Sequence, residues 1–208
     1  MAEDGTLMHL GSTATGVSSM TDAELLTGLD DRRAMIVHLS HHAKMRENGV
    51  FPDDLLAAIA NKAIWNLSCV VLWPDHAMDL PGSVGVIFRP ESATNVLSVS
   101  ADDAGSTQLA DGSDGSLGKP LSAATFNQTF EACAGTYNEW RVTNCEVQGI
   151  FVASETSLSA KKKVPLSIDG MIIGHDIGAL PITLCEVFSA FPDLPVYTLD
   201  SAGWRKLR

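Results

Sequence analysis

The chain has 208 residues, of which 45% are hydrophobic and only 6% aromatic, and it carries a formal net charge of −11 at pH 7. This is enough apolar content to bury an aliphatic core without disulfide or metal staples, and it excludes collagen-like, coiled-coil and wholly disordered chains. The acidic balance opposes general binding to phosphate backbones, and no apolar run approaches the ~20 residues of a membrane span, so the expectation is a soluble, cytoplasmic protein.

Residues 1–20 are polar and rich in Gly, Ser and Thr, with no basic stretch leading into an apolar one. They are expected to be a disordered segment rather than a secretory signal, leaving 21–208 as one α+β domain. Thr21-Asp22-Ala23-Glu24 fits a capping box, so a first helix is expected from about Asp22 to Leu29. Ala34–Ser40 reads as a strand, followed by a helix-like segment through Lys44 that ends at Asn48-Gly49. Pro52-Asp53-Asp54 opens a second helix, with Leu55, Leu56 and Ile59 at helical spacing.

Strands are then expected at Leu67–Leu72, Val84–Phe88 and Val96–Val99. Residues 101–119 hold four Asp, four Gly and three Ser. They cannot form a packed core and read as a mobile surface loop. A helix around Ser122–Ala134 precedes short strands at Glu139–Val142, Cys145–Ala153, Val164–Ile168 and Met171–Ile173. Leu180, Leu184, Val187, Phe188 and Phe191 make one stripe of a helix over Ala179–Phe191, which Pro192 stops. Pro195–Leu199 is the last expected strand, with Trp204 as a C-terminal anchor. Helices mixed with many short strands, without regular βαβ alternation, point to α+β. The four cysteines, Cys69, Cys133, Cys145 and Cys185, have apolar neighbours and no CxxC spacing, and read as reduced, buried thiols.

Two polar groups stand out. In His38-Leu39-Ser40-His41-His42, strand alternation puts His38 and Ser40 on one face. The cluster reads as one packed and two solvated imidazoles, as metal ligands, or as a cofactor-orienting pair. No zinc-type spacing supports the metal. Glu139 stands at a strand start after a turn-prone stretch, where a carboxylate can enter a cleft or simply pair with Arg141 on the same face. His76 has no evident partner, and His175-Asp176 lies between Gly174 and Gly178 in what reads as a turn. Lys161-Lys162-Lys163 is the densest basic run.

The stretch IVHLSHHAKMRENGVF (36–51) resembles the opening strand and helix of ADP-ribosyltransferase-fold proteins, with a His on the first strand and a Ser two residues later. NEWRVTNCEVQGIFV (138–152) resembles their catalytic-Glu strand and the strand after it. GSVGVIFRP (82–90) falls where a central strand belongs, and DLPVYTLDSAGW (193–204) resembles the closing strand of the mono-ADP-ribosyltransferase toxins. The anchors cover about a quarter of the chain. The resemblance implies two small mixed or antiparallel sheets with flanking helices around an NAD⁺ cleft. His38 would contact the ribose, Ser40 would hydrogen-bond the dinucleotide, and Arg46 or Arg89 would hold the pyrophosphate. Glu139 would be the catalytic carboxylate, placing charge where the ribose becomes cationic. Loop 101–119 would be a lid or an inert insertion. The acidic surface favours a protein or small-molecule acceptor over nucleic acid. The competing expectation is a non-catalytic acidic module of immunity or adaptor type that binds a basic protein. A small hydrolase using the His cluster is a third, without a nucleophile elbow to support it.

Overall fold

A computed structural model describes residues 19–40, 53–74, 80, 82–101, 118–131 and 138–208. Helix α1 spans Asp22–Asp31 and opens with the expected capping box. The Thr21 hydroxyl accepts from the Glu24 N–H, and the Glu24 carboxylate accepts from the Thr21 N–H. Strand β1 (Met35–Leu39), helix α2 (Asp53–Asn61) and strands β2 (Leu67–Leu72), β3 (Val84–Arg89) and β4 (Val96–Ser100) follow. Helix α3 covers Ala123–Thr129, and strands β5 and β6 cover Glu139–Val142 and Glu146–Val152. The chain ends with β7 (Leu158–Ile168), β8 (Met171–Ile182), helix α4 (Leu184–Ala190), β9 (Val196–Asp200) and β10 (Gly203–Lys206).

Eight strands form one sheet in the order β10-β9-β6-β3-β1-β2-β5-β4, while β7 and β8 form a separate two-stranded ribbon. β6 and β9 run parallel, and the other neighbours run antiparallel. The α+β class expected from the sequence is what the structure has. The expected pair of small sheets is not: one large sheet runs continuously through β1, because that strand hydrogen-bonds to β2 on one side and β3 on the other.

Strand alternation divides the interior into two clusters. The larger joins Ile36, Val71, Val86, Phe88, Trp140 and Val142 to Leu25 and Leu29 of α1, Leu55 of α2, Phe126 of α3 and Val187 of α4, so the helices cover one face. The smaller lies on the opposite face and joins Val37, Leu39, Val70, Leu72, Ile87 and Phe151, with Trp204 and Tyr197 against it. β1 supplies residues to both and is buried on both faces.

The chain departs from the expectations in its last third. Ala179–Ile182 belong to β8, pairing with Leu158–Lys161, so α4 begins only after Thr183. The signal for that start was the capping box Thr183-x-x-Glu186, which is formed. His175-Asp176 is not a turn but ladder, opposite Pro165 and Val164. The turn is Asp169-Gly170, both at positive φ (50° and 80°), the two-residue geometry that matches strand twist. β10 was not expected. The helix-like segment through Lys44 and most of the 101–119 loop lie outside the described residues.

Candidate functional site

Glu139 opens β5, an interior strand between β2 and β4, and is only 4% exposed. Its Oε1 accepts from the Ser68 hydroxyl at 2.8 Å and pairs with Arg141 Nε at 2.8 Å. Its Oε2 is buried without a hydrogen-bond partner. The residue before it, Asn138, is fully buried and takes the place of one more rung of sheet. Its Oδ1 accepts from Val71 N–H at 2.7 Å, and its Nδ2 donates to Val71 C=O at 3.0 Å. Asn138 therefore fixes where β5 begins and so where the carboxylate sits. The pairing with Arg141 anticipated for an ordinary strand charge is present.

His38 and Glu139 leave opposite faces of the sheet. His38 shares the parity of Ile36 in the larger cluster, whereas Glu139 alternates with Trp140 of that cluster and shares a face with Arg141 and Ser68. Ser68 links the two. Its carbonyl accepts from His38 Nδ1 at 2.7 Å, and its hydroxyl reaches Glu139. A carbonyl offers no proton, so Nδ1 carries the hydrogen. Ser40 is buried just past β1, its N–H donating to Val84 C=O at 3.0 Å. Arg46, His41 and His42 lie outside the described residues, as does His76.

A cavity of about 550 Å³, announced by no local sequence pattern, lies at the other end of β1 among the C-terminus of α1, β3, β6 and β9–β10. That is a usual size for a small-molecule site. Of the expected site residues it holds Arg89, which forms a two-pronged pair with Asp30 at 2.8 and 2.9 Å. Ser40 is five residues along from Met35 of the cavity wall, roughly 17 Å at strand rise. The expected convergence of His38, Ser40, Glu139 and Arg89 on one cleft is therefore not found. β1 carries His38 and Arg89's neighbours at different ends, and the sheet separates His38 from Glu139.

Three features build the cavity. The first is the exit of α1, where Arg33 N–H donates to Asp30 C=O and Ala34 N–H to Leu29 C=O. This is the Schellman closure, with Arg33 at the left-handed position (φ 50°) that glycine usually takes. The second is Trp204, whose indole N–H donates to Arg33 C=O at 2.7 Å and whose ring meets Phe151 edge-on at 5.9 Å. Gly203 before it has φ 116°, and a Cβ there would come within 3.0 Å of the Arg33 guanidinium. The third is a bulge in β6, where Ile87 faces Gly149 but Phe88 faces Val147. The extra residue, Gln148, joins the cavity wall. Among the described residues no carboxylate pairs with Arg33. Among the described residues the wall holds two guanidinium groups, Arg33 and Arg89, against the single carboxylate of Asp30, a local excess of positive charge in an acidic chain. Positive φ at an arginine and the packing of Trp204 were not readable from local pattern.

No three His, Cys, Asp or Glu side chains gather to hold a metal among the described residues. Burial pushes the Cys145 thiol up to about 12, with nearby Lys62 pulling the other way, and burial raises Cys69 well above its ordinary value. Cys185 is exposed, against the expectation that all four thiols are buried, and Cys133 lies outside the described residues. No described helix is long and apolar enough to cross a membrane. Comparison with protein-family models, with curated proteins and with solved structures returned no match.

Proposed function

We propose that the chain is a ligand-binding module whose cavity takes a planar, anionic compound of the nucleotide class, NAD⁺ among them. The observation that carries this reading is Arg33. It occupies a strained left-handed position at the cavity, without a carboxylate partner among the described residues and beside the rings of Trp204 and Tyr197. Guanidinium groups bind phosphate oxygens in two-pronged fashion, and aromatic faces accept a base. Arg89 keeps the pyrophosphate role expected of it, in competition with Asp30. The test is thermal unfolding with millimolar NAD⁺, ADP or inorganic phosphate. A ligand at a hundred times its Kd adds about 2.7 kcal/mol, a rise of roughly 5–10 °C for a chain of this size. The rise should vanish in Arg33→Gly. No rise with any of the three compounds would refute the reading.

Transfer of ADP-ribose is the second reading, and the unpartnered Oε2 of the buried Glu139 favours it. That carboxylate oxygen has capacity left for a developing cation. The transferase requires nicotinamide release that Glu139→Gln abolishes while leaving the melting shift intact. Its acceptor would be a protein or small molecule. Release absent from the wild type confines the protein to binding. The acidic-module reading rests on the charge of −11 and requires salt-sensitive association with a basic protein.

A further inference from the structure

We infer that the β7–β8 ribbon is an arm by which one copy of this chain holds another. The ribbon pairs Leu158–Ile168 with Met171–Ile182, a length of roughly 35 Å. Its base is fixed. Leu158 and Ile182 are buried in the larger cluster, and the Ser83 hydroxyl bonds both the N–H and the C=O of Ser159. Its far end is not covered. Ile168, Met171 and Ile173 are 59, 72 and 62% exposed. A two-stranded ribbon is marginal on its own in water, and clustered exposed apolar side chains mark an interaction surface.

Charge and apolar surface together select the occupant. The ribbon has three lysines, Lys161, Lys162 and Lys163, against Asp169 and Asp176. It therefore carries +1, while the remainder of the chain carries −12 of the total −11. A basic arm on an acidic body is complementary to the body of a second copy. That body offers a matching apolar patch. Ile64 is 81% exposed, Trp65 43% and Leu97 45%. The backbone ties these three to one region: Asn144 N–H donates to Lys62 C=O beside the first two, and Thr143 N–H to Asn95 C=O beside the third. The apolar tip of one arm seats on this patch of the partner, and reciprocal exchange closes a dimer without leaving an open end.

Sedimentation of the full chain over a hundredfold concentration range tests this. The expected result is a dimer that weakens with salt. Two variants should each be monomeric with unchanged circular dichroism, the tip variant Ile168→Asp/Met171→Asp/Ile173→Asp and the patch variant Ile64→Asp/Leu97→Asp. An equimolar mixture of the two should regain a fraction of dimer, because one arm and one patch remain intact. A wild-type monomer throughout the range overturns the inference, as does a dimer indifferent to both variants. Retardation of a 20-base-pair DNA duplex by the wild type, lost in Lys162→Glu, would assign the arm to nucleic acid and overturn it equally.

Discussion

Arg33 and Asn138 show how much single residues decide in this molecule. A left-handed residue other than glycine costs about 1–2 kcal/mol, part of which glycine gives back through its freer unfolded chain. Arg33→Gly should therefore raise stability by up to ~1 kcal/mol in urea unfolding while removing nucleotide binding. A loss of stability would show that the arginine side chain holds the cavity wall rather than waiting for a ligand. Asn138→Ala strips partners from both backbone groups of the buried Val71. At ~1–3 kcal/mol for each unsatisfied group, a loss of about 2–4 kcal/mol is expected from the same measurement. The residue scale is also where the sequence said least. Glu139 and its pairing with Arg141 could be anticipated from spacing along one strand. The hydrogen bonds of Ser68 to both His38 and Glu139 depend on β2 lying between β1 and β5, which no local pattern states.

At the scale of elements, the caps carry the argument. The Thr21 backbone N–H, and then its hydroxyl, hold the Glu24 carboxyl below its ordinary value of 4.5. A lowered acid adds stability above its unfolded pKa and loses it as pH falls through the folded one. The melting-temperature deficit of Thr21→Ala relative to wild type should thus be larger at pH 7 than at pH 3. An equal deficit at both would mean the box acts only through the neutral hydroxyl. At the other end of the chain, Arg208 donates to the carbonyls of Phe188, Phe191 and Leu194 and lies 4.9 Å over the Phe188 ring. It closes the C-terminus of α4, whose last carbonyls have no partner within the helix. Arg208→Ala should cost about 1–2 kcal/mol in chemical unfolding. Elements with a local signal were legible: α1 by its capping box, α2 by helical spacing, and β1, β2 and β3 by apolar runs. α4 was extended too far because apolar side chains at helical spacing also suit a ladder. Pairing with Leu158–Lys161 gave Ala179–Ile182 to β8 instead.

At the scale of the whole molecule, strand order is the missing information. Apolar periodicity says that strands exist and which side chains are inward, and the α+β class follows. It does not say that β9 returns to lie parallel against β6, which brings the C-terminal Trp204 to the exit of the first helix and encloses the cavity. Arg89 and Trp204 are over a hundred positions apart, and only that crossing makes them neighbours. The family resemblance depended on the order of short motifs, and order along a chain does not fix which face of a sheet each motif takes.

The base of the ribbon has a practical corollary. Leu158 and Ile182 are already opposite each other and anchored in the interior, so the chain between them is an excursion that starts and finishes at one spot. Splicing Asn-Gly between Ala160 and Leu180 would amputate the projection and reseal the hairpin with a native-type reversal. The shortened protein should fold with its sheet and nucleotide response intact, behaving as a detachable cassette whose loss is read in self-association alone.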